Sequence, residues 1–286
     1  MYRYMYLFDV QIEAWLIFTI IGYVAALVGM LITRPNDLSL SRHRISACAI
    51  TYLIPGIIGS GILSMIIHPE NLQTIAGVYK VPALGAAFFG EPLFGFTFLW
   101  ILCKIKKYSF VDFADLAMPF LMLSRAFGRI GCLLAGCCYG IETTLPWGFQ
   151  FLFDGVMRHP TQAYAMACAF GIFGGSRYIY KNLRSHKAFT AFYVVFFYCF
   201  LRFFNEFLRA EGPYITGQIK LLHPFLVVLM AFSLYKLYSI FKMTTAEGKP
   251  RFKCIIRGSL VRIVLWAGFS IISPIAIIYI ANRIWF

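Results

Sequence analysis

Arg129 and Arg202 stand inside stretches of this chain that are otherwise apolar enough to cross a lipid bilayer. Holding a guanidinium at membrane depth costs roughly 2.5–3.5 kcal/mol on insertion scales, so such a residue normally faces a cavity or an anionic partner. The chemistry it suits is recognition of an oxyanion, because its planar fork of donors matches phosphate oxygens. Glu206 follows Arg202 by four residues and Arg209 by seven, which puts all three on one helical face. Arg129, Arg202 and Glu206 are the candidate catalytic set, with a phospholipid headgroup as the expected ligand.

The elements that must position them are transmembrane helices. Of 286 residues 60% are hydrophobic, 18% aromatic and 13% charged, the composition of an integral membrane protein. Apolar runs near 11–33, 45–67, 82–103, 111–135, 162–180, 188–208, 221–241 and 260–282 are long enough to span the hydrocarbon. Each must be helical, since lipid offers no partner to an unpaired backbone group. Gly85, Gly90, Glu91, Pro92, Pro119 and Gly128 interrupt the third and fourth, as befits helices lining a cavity. The predicted class is all-α and polytopic: one transmembrane domain over residues 1–286, with a core over 10–242 and an additional helix at 260–282.

The net charge of +14 could suggest nucleic acid, but its distribution excludes that partner. Segments 34–44, 104–107, 177–187 and 236–262 hold 17 of the 26 Lys and Arg, whereas the alternate ends and loops hold 6. This alternation is the positive-inside pattern, which predicts an external N-terminus and attraction to anionic membrane lipids. It also places Arg129, Arg202 and the 26-residue segment Gly136 to Thr161 towards the outer face, with that segment capping a membrane site. No cleavable signal peptide is expected: the first apolar run is too long, and no small-residue cleavage site closes it.

Four blocks then occur in order: Asp115-Leu116-Ala117 leading into SRAFGRIGCLLAGCCYG (Ser124 to Gly140), RHPTQAY (Arg158 to Tyr164), LRFFNEFLRAEGP (Leu201 to Pro213) and TGQI (Thr216 to Ile219). Together they resemble the prolipoprotein diacylglyceryl transferase family. The resemblance implies transfer of a diacylglyceryl group from phosphatidylglycerol to the lipobox cysteine of a prolipoprotein signal peptide, in a bacterial cytoplasmic membrane and without a cofactor. It makes Arg129 and Arg202 the essential arginines and Glu206 their neighbouring carboxylate. Substrate-binding positions would be Arg129, Arg202, Asp115, Cys132, Gly140, His159, Gln162 and Gln218.

This sequence departs from the family pattern at several places. Phe89 stands where a third-span histidine is usual, and nearby Glu91 would take over proton transfer. Cys132 and Cys137 occupy positions usually held by asparagine and glutamate, and the eighth span is additional to a seven-span core. These departures keep two alternatives open: a relative moving another group from an anionic phospholipid to a different acceptor, and a non-catalytic anionic-lipid-binding protein. Eight cysteines are present, five of them scattered singly in or beside spans and read as packing. Cys132, Cys137 and Cys138 leave three readings: pocket lining or packing, which is favoured; a disulfide; and a metal site. No metal is expected, because no histidine or carboxylate sits nearby at ligand spacing.

Overall fold

A computed structural model describes residues 4–7, 10–67, 90–151, 154–184, 186–210, 212, 214–246 and 261. Seven helices run through them: α1 (Ala14–Thr33), α2 (Arg42–Ile67), α3 (Gly90–Lys106), α4 (Phe110–Ala135), α5 (Thr161–Leu183), α6 (Phe189–Phe207) and α7 (Leu222–Ala246). Two short hairpins accompany them, β1 (Tyr4–Leu7) with β2 (Val10–Glu13), and β3 (Tyr214–Thr216) with β4 (Ile219–Lys220). Phe89 and the eighth apolar run at 260–282, Val261 apart, lie outside the described residues.

The first apolar run starts helix later than its hydropathy predicts. Val10, Gln11, Ile12 and Glu13 alternate apolar and polar, the period of a strand, and pair antiparallel with β1, Tyr4 opposite Glu13 and Leu7 opposite Val10. Most other boundaries fall within a few residues of expectation, the expected start of the third run at 82–89 lying outside the described residues, and α4 runs unbroken through Pro119 and Gly128. In α3 the potential breakers Gly90, Glu91 and Pro92 occupy the first turn, where proline costs no hydrogen bond.

Four of these helices, α1, α2, α4 and α7, are long and apolar enough to cross a membrane. Their surfaces agree with that solvent: Ile20, Val24 and Ile32 on α1 and Val228, Leu234 and Tyr235 on α7 are exposed. A helix that shows isoleucine and valine outward, and buries small or apolar residues inward, is matched to lipid rather than water.

The chain forms two compact units. One comprises residues 30–114, where α2 and α3 pack antiparallel at close range. A Cβ on Gly59 would stand 2.2 Å from the Phe94 ring, and one on Gly95 2.8 Å from the Tyr52 carbonyl. Small residues at such crossings let helix backbones approach where the hydrophobic effect gives no help. Glu91 belongs to this unit, accepting a hydrogen bond from the Tyr52 hydroxyl at 3.4 Å.

The other unit comprises residues 1–29 and 115–286 and carries the arginine blocks. Here α1 crosses α4 antiparallel through Gly22 against Ser124 and Gly131 against Trp15. At one end of α6, Ile179, Leu183, Phe189 and Tyr193 form a core closed by Leu237, Ile240 and Phe241 of α7. Asp115, expected among the substrate-binding residues, holds the start of α6. Its two carboxylate oxygens accept from the Ala188 and Ala191 backbone N–H groups at 2.6 and 2.8 Å. These are among the donors a helix N-terminus leaves without an internal partner, and a carboxylate also suits the positive end of the helix dipole. Asp115→Ala should therefore destabilise the protein by about 1–3 kcal/mol, read as a lower thermal midpoint in detergent. Asp115→Asn, which keeps one acceptor, should lose less.

Candidate functional site

Arg129 on α4 and Arg202 on α6 line one cleft, as their shared depth predicts. Its wall also contains Arg125, Cys168, Ile172, Tyr198 and Asn205, and it holds about 420 Å³ including the open mouth. Among the residues lining it three are cationic and none is anionic. Arg125 lies four residues before Arg129 and therefore one helical turn away on the same face. That spacing was the available signal for a third site arginine. Tyr198 precedes Arg202 by the same interval on α6.

Behind the cleft, Arg202 forms an ion pair with Glu206 Oε2 at 2.6 Å, one turn away and with both side chains buried. The opposite carboxylate oxygen, Oε1, lies 3.9 Å from the Lys220 ammonium. Lys220 is the residue that sequence reasoning passed over. It entered only as one of the two cations counted in segment 209–220, yet it is only 1% exposed. Its Nζ donates to the Glu206 carbonyl at 3.0 Å and the Arg209 carbonyl at 2.6 Å. These carbonyls are left over where α6 ends, so the lysine caps a helix C-terminus. His223 is also buried, and its Nδ1 accepts the Lys220 backbone N–H at 2.9 Å.

Arg209 does not share the helical face of Arg202. Helix α6 finishes at Phe207, and Arg209 enters an isolated antiparallel bridge with Gly140. The neighbouring Ile141 N–H donates to the Leu208 carbonyl at 2.8 Å. Gly140 is required by this close approach, since a Cβ there would lie 2.5 Å from the Leu208 carbonyl and 2.7 Å from His159 Cβ. Its role is to let three segments meet. Gln218, expected to bind substrate, lies exposed in the turn joining β3 and β4.

The described residues of the loop from 136 to 160 form their own hydrogen-bond ladder. Phe149 and Arg158 exchange two backbone hydrogen bonds, His159 N–H donates to Ile141, and Gly140 N–H donates back to His159. Asp154 and Arg158 pair at 2.6 Å, and the hydrogen bond from that guanidinium holds the Asp154 carboxyl down at about 2. Trp147 Nε1 donates to the Tyr164 hydroxyl at 2.8 Å, which lies 3.2 Å from His159 Nδ1. The Tyr164 proton is then available to Nδ1, a contact made by a neutral imidazole. Partial burial likewise pushes the His159 pKa below its ordinary 6.5.

Gln162 and Thr161 act on the loop backbone. Gln162 Nε2 donates to the Cys137 carbonyl and Thr161 Oγ1 to the Cys138 carbonyl, the latter at 2.6 Å. They pin a chain reversal in which Gly136 and Cys138 adopt φ of 69° and 60°. The reversal carries Cys137 and Cys138 back towards Cys132 at the end of α4, and the three sulfurs lie within 4.8 Å of one another. The spacing of five between Cys132 and Cys137 does not by itself imply this convergence. Glu91 belongs to the other unit.

Two consequences are measurable. Glu206→Gln leaves Arg202 and Lys220 buried without their shared carboxylate, which should cost about 3–5 kcal/mol of stability, read by thermal unfolding in detergent. His159 binds fewer protons folded than unfolded, so stability should fall as pH drops from about 7.5 through 6.5 towards the depressed value. His159→Gln should flatten that part of the profile in the same assay.

The model of one protein family, described as prolipoprotein diacylglyceryl transferase, matches residues 4–246. The chain is similar to a phosphatidylglycerol–prolipoprotein diacylglyceryl transferase of Clostridium tetani, 30% identical over 214 residues, covering 72% of this chain and 84% of that protein. It is similar to enzyme 2 of that name in Clostridium perfringens, at 31% over 232 residues, covering 78% and 88%. A third relative of that name, from Finegoldia magna, is 32% identical over 144 residues, half of this chain and 57% of its own length.

Proposed function

Because this chain belongs to the prolipoprotein diacylglyceryl transferase family, we propose that it transfers the diacylglyceryl group of phosphatidylglycerol to the lipobox cysteine thiol of prolipoprotein signal peptides. The observation that carries this reading is the cleft walled by Arg125, Arg129 and Arg202 and by no carboxylate. Breaking the bond between the glyceryl carbon and the phosphate oxygen leaves the electron pair on phosphate. Fixed guanidinium groups stabilise that developing charge best where water is scarce. In this reading Arg129 and Arg202 grip the phosphate and Arg125 adds a third fork.

Glu206 is engaged by Arg202 on one oxygen and approached by Lys220 on the other. That supports a positioning role, holding the Arg202 fork at a fixed angle, over a role as base towards the thiol. His159 and Gln162 shape the cap through which the signal peptide arrives, and Glu91 is kept as a candidate for proton transfer. The enzyme would sit in the bacterial cytoplasmic membrane with seven core spans, an external N-terminus and a site towards the outer leaflet. Its site would open sideways, so that donor lipid and acceptor peptide both enter from the bilayer. The charge alternation along the sequence supports that orientation.

The test is expression in cells depleted of their own transferase, followed by mass spectrometry of lipoprotein N-terminal peptides. The wild type should restore the diacylglyceryl thioether, and Arg129→Ala, inserted and folded, should not. Wild-type protein that inserts and yields no lipidated cysteine would refute the reading. A different adduct would point to the divergent transferase, which the sequence departures at Phe89 and Cys132 favour, standing where histidine and asparagine are usual.

A further inference from the structure

The three clustered thiols are not used by the phosphate-binding machinery. Cys132, Cys137 and Cys138 are partly buried, and each offers one sulfur to a common point. Zinc bound to thiolates at about 2.3 Å in tetrahedral geometry needs sulfurs about 3.8 Å apart, and the three here already lie within 4.8 Å of one another. A disulfide would use two of the sulfurs and leave the third without a purpose, whereas a soft divalent cation uses all three.

The surroundings favour the same occupant. Three thiolates around a divalent cation carry a charge of −1. Arg129 lies within electrostatic reach of Cys132 and Cys138, and Arg209 within reach of Cys138. The ligand loop is also organised in advance. Cys137 N–H donates to the Cys132 carbonyl at 3.2 Å, and the carbonyls of Cys137 and Cys138 are held by Gln162 and Thr161. These contacts fix backbone beside the ligands, as supports of a metal site do.

We propose that Cys132, Cys137 and Cys138 bind one thiophilic divalent cation of the zinc class, whose open fourth position takes the acceptor cysteine as a thiolate. The second half rests on the transferase reading. Three protein ligands with one open position is the arrangement of catalytic rather than structural zinc. A thiol entering it loses its proton to solvent, because the metal-bound sulfur is ionised outright. The sulfur then attacks the glyceryl carbon. The sulfur–carbon bond forms as the carbon–oxygen bond breaks, and the electron pair leaves on the phosphate held by Arg129 and Arg202. No electron is gained or lost overall. Arg129 then borders both reactants, with Cys132 one turn along its helix, Cys138 within its electrostatic reach and the cleft beside it.

The experiment uses the full chain purified in detergent under reducing conditions and titrated with Zn²⁺ and, as a spectroscopic probe, Co²⁺. About one metal per chain should bind, with sulfur-to-cobalt charge-transfer bands. Cys132→Ser, Cys137→Ser and Cys138→Ser should each weaken binding by at least tenfold, while Cys48→Ala and Cys199→Ala leave it unchanged. A lipobox peptide should perturb the cobalt bands, and its cysteine-to-serine version should not. Wild-type protein that binds no more metal than the triple serine variant would overturn the site, whether or not the variants fold. A Cys132–Cys137 or Cys132–Cys138 disulfide in the wild type under these conditions would do the same. Bands unmoved by the peptide thiol would overturn the acceptor role alone. Metal binding is read without turnover, so a chain that binds cobalt yet gives no lipidated product would sink the transferase reading and leave the site standing.

Discussion

The unit containing the cleft is organised around one buried carboxylate shared by two buried cations. Glu206 pairs with Arg202 at 2.6 Å and lies 3.9 Å from Lys220, and all three side chains are nearly removed from solvent. Each charge costs several kcal/mol to desolvate, and only mutual attraction with good hydrogen-bond geometry offsets that cost. The arrangement therefore cannot be loosened at one member without exposing the others. It ties the last turn of α6 to β4, because the Lys220 ammonium also takes the Glu206 and Arg209 carbonyls. Through Gly140 and Leu208 the same helix end is joined to the 136–160 loop. The charge cluster, the hairpin and the cap thus form one connected structure.

That structure explains how a flat set of motifs becomes a site. Gly140, Thr161 and Gln162 are separated from the arginines in sequence, yet all act at one chain reversal. Gly140 allows the approach, and Thr161 and Gln162 hold the carbonyls of Cys138 and Cys137. The reversal leaves the α4 face bearing Arg125 and Arg129 open towards α6. Rigid support of this kind is what a polar site in an apolar protein requires, since a mobile guanidinium would find its own partner instead of waiting for a ligand.

Much of this was legible in the sequence because membrane crossing leaves few choices. Hydropathy located α1 to α7 to within a few residues at most ends, and the i, i+4 spacing gave the Arg202–Glu206 pair correctly. What the sequence hid was tertiary in origin. The β1–β2 hairpin overrode an apolar run through strand alternation. Asp115 lies in a family block but caps α6, a partnership across 73 residues that no local pattern signals. Arg209 was read onto the helical face of Arg202 from its spacing of seven, and Lys220 drew no separate notice among the loop cations; the helix ends at Phe207, and the fold buries Lys220. The convergence of three thiols depended on left-handed turns at Gly136 and Cys138. Glycine advertises such a turn, but cysteine does not.

The balance of charge in the cleft links its stability to its ligand. Glu206 offsets part of the charge of Arg202 and Lys220, while Arg125 and Arg129 face a cavity whose lining holds no anion. Repulsion among guanidiniums at low dielectric opposes the folded state, and an anionic group bound between them removes that repulsion. Any ligand that binds the folded form alone stabilises it by mass action. In a bilayer rich in anionic lipid the resting protein would therefore hold a headgroup as its normal condition. A compact dianionic phosphate would hold more strongly still, as its charge grows when the glyceryl bond breaks. In the proposed reaction, the electrostatic surplus that strains the cleft would be the one that favours the transition state over the bound lipid, which is the condition for catalysis rather than mere binding.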